Sequence, residues 1–409
     1  MTEIAGSYPY NHPHQMLPML PGEHKLDDLR LLAADVIAGA GDLAAHGMPR
    51  LRALLREALR PMNSYYTNKI EGQHTEPLLI ERAMRRDFSG SPDEARRQRI
   101  AVAHIETERW SETAWTAFDS VAFFTAESVS DIHRHLHAQL QPDDLAQEGD
   151  NGEAVTVAPG EWRTRGVRVG RHVPPEPGSI PAFMRAWHEG YRFARAGETA
   201  IIALAAAHHR LAWIHPFLDG NGRTARLHTH IGLAALRLTH GLWSPMRGLA
   251  RSQPQYYEHL IAADHPRRGD LDGRGNLSER GLIEFIEYFL GTCLDQIRFM
   301  GGMLDLHAFE TRLAQMLAAL SLTEGTRQLR VETAKPLAYL ATIESMDRAQ
   351  FKAMTGLAAR TAERALADLF KIGILTSPSP RGALELAIPL SLFRWLFPRL
   401  WPEAEATGV

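Results

Sequence analysis

Between two apolar helical patterns the chain reads IHPFLDGNGRTARL, Ile214 to Leu227. A His, an Asp, an Asn, two Gly and two Arg are packed into that join, so the backbone must turn tightly and re-enter a helix with charged groups at the turn. Gly220 and Gly222 supply the turning and allow close approach to a ligand. Asn221, Gly222 and Arg223 open the second helix, whose first N–H groups and positive dipole end form an anion site. Arg223 and Arg226, three apart, can point to one side of it. Two Arg over an anion hole suit a polyphosphate better than a single carboxylate. Asp219 is a hard oxygen ligand placed where Mg²⁺ would bridge phosphates. His215 is the natural general base near neutral pH. The set describes phosphoryl or nucleotidyl transfer to a hydroxyl. Plainer readings fit less well. Gly-rich Asn/Asp stretches are often simple turns. A calcium loop fails because the twelfth position from Asp219 is His230, and no Gly-Lys-Ser/Thr follows, so this is not a Walker A loop.

The rest of the chain bounds what surrounds that segment. Its 409 residues allow two or three domains. With 45 Lys+Arg against 48 Asp+Glu, the formal net charge of -3 shows no overall commitment to nucleic acid or acidic membranes. A single cysteine, Cys293, excludes an internal disulfide framework and suits a reducing, cytoplasmic setting. No apolar run approaches the roughly 20 residues a membrane helix needs, so no membrane partner is expected. The first 23 residues read as an extended arm. Helical spacing then predicts a helix from Lys25 to about Arg60, another over 62–69, and a long one capped by Asp93. TRGVRVG, alternating around Val167 and Val169 and bounded by Gly and Pro, predicts a short hairpin. Ser278 is expected to cap a late helix. After a linking helix, the pattern of helix, Gly356 turn, helix and two short strands suits a winged helix-turn-helix.

HPFLDGNGRTAR fills all eight specified positions of the Fic-family motif His-x-Phe-x-Asp/Glu-Gly-Asn-Gly-Arg-x-x-Arg, a chance event on the order of 10⁻¹⁰ per window. The chain therefore resembles the Fic/DOC family over about residues 120 to 300. That resemblance implies a mainly α fold: a helical core with a small β-hairpin flap, an N-terminal helical region and a C-terminal winged-helix domain. The segments would be 1–115, 116–300 and 301–409. It implies an enzyme that transfers AMP from ATP, with Mg²⁺, to a Ser, Thr or Tyr hydroxyl of a protein, including its own. By position, His215 resembles the base and Phe217 the loop's anchor. Asp219 resembles the metal ligand. Gly220, Asn221 and Gly222 would line the α-phosphate, Arg223 would reach the β-phosphate and Arg226 the γ-phosphate. Val167, Arg168, Val169 and Gly170 resemble the flap that docks a target segment by strand addition. Gly222 argues against the subfamily with Lys there.

SYYTNKIEGQHT carries Thr67, Glu71 and Gly72 in the family's inhibitory pattern Ser/Thr-x-x-x-Glu-Gly/Asn. Of four Glu-Gly pairs in the chain, only this one has Ser or Thr four residues earlier. The implied physics is competition, Glu71 taking Arg226 from the γ-phosphate. The plainer alternative is a helix C-terminus at Gly72. His133, His135 and His137 do not share one side and are read as surface histidines rather than zinc ligands, as are His228 and His230. His208 and His209 are expected to pack and hydrogen-bond. Arg360, Arg364 and Lys371 on the last domain's second helix are offset by Glu363 and Asp368, so DNA or protein contact stays open there, as does a homodimer. Two further function classes stay open: transfer of UMP or phosphocholine, or removal of AMP, by the same site, and a DNA-binding regulator with a nucleotide-sensing core. The sequence does not identify the target protein or the groups that hold the adenine.

Overall fold

The computed structural model describes residues 9–45, 48–148, 154–322 and 329–401. It is mostly helical. In chain order the helices are α1 (Asp27–Ala45), α2 (Pro49–Ile70), α3 (Pro77–Met84), α4 (Pro92–Ala114), α5 (Ser120–Phe123), α6 (Ala126–Ala138) and α7 (Pro142–Leu145), followed by strands β1 (Ala146–Glu148) and β2 (Ala154–Thr156). Then come α8 (Ile180–Tyr191), α9 (Gly197–Ile214), α10 (Asn221–Ala235), α11 (Met246–Arg251), α12 (Gln253–Asp264) and α13 (Glu279–Met303). The chain continues through α14 (Leu306–Leu320), α15 (Ala334–Leu340), α16 (Arg348–Thr355), α17 (Ala359–Lys371), β3 (Leu375–Thr376), β4 (Glu385–Leu386) and α18 (Leu390–Leu396). No described helix is long and apolar enough to cross a membrane.

Several boundaries differ from the sequence reading. The expected helix over 25–60 is two helices. The second, with Pro49 at its start where no N–H is needed, runs unbroken through Pro61 to Ile70. Ser91 rather than Asp93 stands at the N-cap position of α4, without a side-chain capping bond, and Pro92 opens its first turn. Ser278 does cap α13, its hydroxyl accepting from Gly281 N at 2.9 Å.

Two compact units emerge. The first gathers the described parts of Met1–Gly41, Asn63–Thr75 and Arg82–Ile297; the second gathers those of Asp42–Met62, Glu76–Glu81 and Arg298–Val409. This division does not follow the segments 1–115, 116–300 and 301–409. The end of α2 joins the first unit because its polar groups pair there: Asn63 Nδ2 donates to Glu108 Oε1 at 3.1 Å and Ser64 Oγ to the Ala101 carbonyl at 2.9 Å.

At the centre of the first unit lies α9, Ala-rich and buried on nearly every side, as a helix apolar all round must be. It packs on α10 and α8, and α10 also meets α6 and α4. Gly232 lets α10 approach closely, since a Cβ there would sit 2.5 Å from Leu204 Cδ2. Residues 1–8 of the expected arm lie outside the described residues; from residue 9 the arm crosses this unit in extended form, broken by a short turn at Pro13–Met16. Its Pro18 carbonyl accepts from Arg210, its Met19 carbonyl from Tyr191 Oη at 2.9 Å. Cys293 is fully buried.

In the second unit α16, a left-handed Gly356 (φ 66°), α17 and the antiparallel pair β3–β4 follow one another in the expected order. Phe351, Leu366, Leu369, Leu384 and Phe393 fill its interior. Arg360, Arg364 and Lys371 are exposed on α17, and Glu363 stands among them, paired with Lys352 at 2.8 Å.

Candidate active site

The segment between α9 and α10 is held by its carbonyls. His215 ends α9 in the left-handed region (φ 50°, ψ 59°), which costs a non-glycine residue about 1–2 kcal/mol. Pro216 bars helical continuation. The His215 carbonyl accepts from Arg163 Nε at 2.8 Å, and the Pro216 carbonyl from the Arg163 backbone N–H at 2.9 Å. Asn221 closes the loop on itself: its Nδ2 donates to the Phe217 carbonyl at 2.8 Å while its Oδ1 accepts from Phe217 N at 2.9 Å. The Asp219 carbonyl meets His133 Nε2 at 3.0 Å. Gly220 (φ 75°) then turns the chain into α10, whose first internal bond is Thr224 N to Gly220 O. With the carbonyls turned into the protein, the leading N–H groups of α10 are left to face an anion.

His215 is half-buried, and its Nδ1 lies 3.4 Å from the Ala212 carbonyl. With the proton on Nδ1, the Nε2 lone pair is the one free to act. Burial, then the proximity of His172 and Arg163, holds the imidazole's pKa down to about 3, so at physiological pH it is neutral, as a base must be. Burial would raise the Asp219 carboxyl, but the Arg223 guanidinium at 3.4 Å, the Gly220 N–H, His137 and His215 pull it below the ordinary carboxylate range. Asp219 is therefore an ionised oxygen donor at the mouth of α10. Among the described residues no group of three or more His, Cys, Asp or Glu forms a ready metal cage.

Arg226, 2% exposed, is held through two of its nitrogens: Nε donates to Thr67 Oγ1 at 2.8 Å, Nη2 to the Thr67 carbonyl at 3.2 Å and to Glu71 Oε1. A Cβ on Gly222 would run into the same Glu71 oxygen, so that carboxylate lies directly over the start of α10. Thr67 and Glu71 are thus brought to Arg226 across 159 and 155 residues of sequence. Gly72 (φ 68°) also ends the helical turn, as the plainer reading had it. Sequence reasoning missed how the end of α2 is fastened: Gln253 Nε2 (2.9 Å) and Tyr257 Oη (3.1 Å), both on α12, donate to the Ile70 carbonyl.

The expected hairpin at 164–170 is smaller than predicted. Val169 and His172 form a single antiparallel bridge around a turn at Gly170 (φ 59°), with no strands on either side. Val167 is buried and Val169 is 42% exposed, so the two do not share a face as a strand would require. Arg168, Val169 and Gly170 are at the surface. A three-residue antiparallel ladder stands instead at β1–β2. His172 Nε2 bonds the Trp213 carbonyl at 2.8 Å, so the turn is tied to α9 two residues before His215.

Four of the five histidines expected at the surface, His133, His137, His228 and His230, are buried, while His135 is half-buried against Trp110. His133 accepts from Gly160 N at Nδ1 (2.9 Å), donates from Nε2 to Asp219 O, and stacks on Phe217 with ring centres 3.8 Å apart. Burial, then His137, pushes its pKa well below the ordinary value. His137 bonds the His133 carbonyl through Nδ1 (2.8 Å), and its Nε2 lies 2.7 Å from where a Gly220 Cβ would be. The i,i+4 spacing of these two was the available signal. His228 and His230 are buried as well; His230 faces Glu108 at 3.5 Å. His208 pairs with Thr229 Oγ1 and Tyr256 Oη, in the role expected of it.

The profile of the Fic/DOC family matches residues 123–233. "Protein adenylyltransferase Fic" of Drosophila mojavensis is 27% identical over 223 residues, 53% of this chain and 36% of the relative. That of Nematostella vectensis is 27% identical over 231 residues, 56% of this chain and 48% of the relative. The chain thus spans between a third and a half of the length of these curated relatives. A crystal structure of a Fic family protein from Desulfovibrio desulfuricans is 17% identical with a TM-score of 0.49, covering 93% of this chain and 99% of that one. Fic-1 from C. elegans is 18% identical with a TM-score of 0.49, covering 67% and 72%.

Proposed function

Because residues 123–233 form a domain of the Fic/DOC family, we propose that the chain is a Mg²⁺-dependent protein adenylyltransferase restrained by its own Glu71. Its substrates are ATP and a Ser, Thr or Tyr hydroxyl of a protein. The hydroxyl oxygen attacks the α-phosphorus. His215 Nε2 takes the hydroxyl proton, the bond from the α-phosphorus to the α–β bridging oxygen breaks, and pyrophosphate leaves with that electron pair. Gly220, Asn221 and Gly222 face the α-phosphate through backbone N–H groups, with Arg223 at the β-phosphate. Asp219 is the residue that would hold Mg²⁺; one carboxylate with substrate phosphates is an ordinary Mg²⁺ donor set, and the ion offsets charge on the leaving pyrophosphate. Val167, Arg168, Val169 and Gly170 receive the target segment, through one exposed bridge rather than a long strand edge.

The observation that carries this reading is the engagement of Arg226 by Thr67 and Glu71 above the start of α10. A γ-phosphate on Arg226 would meet the Glu71 carboxylate, so nucleotide can bind productively only when Glu71 withdraws. The test uses two forms of labelled ATP on the Glu71→Gly protein. Label at the α-phosphate should appear on protein and label at the γ-phosphate should not. Transfer of γ-label would mark a kinase and sink the proposal, and protein unlabelled by ATP but modified by UTP would sink its choice of nucleotide.

A further inference from the structure

Arg163 was not singled out by any motif, yet it is 4% exposed and its bonds run to both sides of the site. Its Nε donates to the carbonyl of His215 (2.8 Å) and its backbone N–H to that of Pro216 (2.9 Å). Its Nη1 donates to the carbonyl of Arg165 (3.0 Å) and its Nη2 to that of Pro175 (2.6 Å). Arg165 and Pro175 lie on the two stems of the turn that carries Val167 to Gly170. One planar guanidinium therefore fixes three backbone carbonyls at once, a geometry an ammonium cannot reproduce. His215 needs such a fixture. It is in the left-handed region without being glycine, and a residue before proline is otherwise drawn to extended backbone. A relaxed peptide at 215–216 would swing the imidazole away from its present direction.

We infer that Arg163 is a positioning residue that locks the strained backbone of His215 and couples it to both stems of the target-docking turn. A target segment added to that turn shifts the Arg165 and Pro175 carbonyls, and the shared guanidinium passes the shift to His215. Target docking and alignment of the base are then one event, which disfavours spending ATP on water when no target is present. The coupling rests on the adenylyltransferase reading; the fixing of His215 does not.

Arg163→Ala and Arg163→Lys, made in the Glu71→Gly protein, test it. The turnover kcat for transfer should fall by about 10- to 100-fold, the usual consequence of a displacement near 1 Å in a reacting group. KM for ATP should change less than about twofold, because the bonds that Arg163 makes to the loop fall on the carbonyls of His215 and Pro216, upstream of residues 220–226. Added guanidinium should restore part of kcat in Arg163→Ala and none in Arg163→Lys, whose side chain fills the space. The ¹³Cε1–¹H signal of His215, assigned by its loss in His215→Ala, should shift in both variants. An unmoved signal with unchanged kcat overturns the inference. So does a loss of kcat matched by an equal loss of ATP affinity and untouched by guanidinium, the mark of general damage to the fold. If the Glu71→Gly parent transfers no label, the functional reading fails, and the His215 signal still decides whether Arg163 fixes the base.

Discussion

Glu71→Gly removes one side chain and leaves every residue of the loop in place. In the structure Arg226 is 2% exposed and its guanidinium is shared between Thr67 and Glu71. A hydrogen bond to a charged group contributes about 1.5–3 kcal/mol. ATP must displace that bond before Arg226 can serve the γ-phosphate, and at about 1.4 kcal/mol per tenfold the barrier amounts to roughly 10- to 100-fold in rate. The variant should therefore transfer AMP about 10- to 100-fold faster, read as initial incorporation of α-labelled ATP. Its thermal behaviour should change in the opposite sense. Without Glu71 the buried Arg226 loses its counter-charge, so the nucleotide-free variant melts earlier than the parent. Mg²⁺-ATP, supplying a replacement anion, then raises its midpoint by more than it raises the parent's. Equal rates in the two proteins, with equal midpoint gains on adding ATP, would refute the reasoning.

Other predictions follow from the same geometry. Replacing Gln253 by Ala or Tyr257 by Phe removes one donor from the Ile70 carbonyl, loosens the end of α2, and should raise basal transfer by about 2- to 10-fold at about 0.5–1.5 kcal/mol per bond; an unchanged basal rate removes α12 from the restraint. The neutral imidazole is the active form, and its pKa in the fold is held down to about 3. As pH falls, kcat/KM should hold its plateau through 6.5, the ordinary histidine value, and decline only well below it; an acid limb centred near 6.5 contradicts the buried setting of His215. His133→Asn keeps an acceptor for Gly160 N but loses the donor to the Asp219 carbonyl, so it should cut transfer about tenfold or more with ATP binding retained; parent-like kinetics would show that the carbonyl needs no such tether.

What the sequence revealed was what is local in it. His215, Asp219, the Gly220–Arg223 turn and Arg226 lie within twelve residues, so their spacing alone sets an anion site at a helix start. The Glu71–Arg226 pair spans 155 residues and was reached only through a family pattern, not through any property of either segment. The partners of Arg163 and His133 could not be read from sequence because both act on backbone carbonyls, 52 and 86 residues away, and carbonyls carry no residue identity. The surface reading failed for His133, His137, His228 and His230 because a neutral imidazole with both nitrogens placed, like His133, is an ordinary interior group. The alternation at Val167 and Val169 over-read a turn as a hairpin: Val167 anchors inward while Val169 is 42% exposed. α2 was split in the reading at Pro61, which the helix in fact tolerates.

The central claim is that His215 performs the transfer and Glu71 withholds it. Three proteins decide it side by side: the parent, Glu71→Gly, and Glu71→Gly with His215→Ala, each given α-labelled ATP and weighed by mass spectrometry. The account predicts weak labelling of the parent, strong labelling of the single variant with the added mass of one AMP per site, and none of the double variant although it still binds ATP. Labelling of the double variant at the rate of the single one would contradict it.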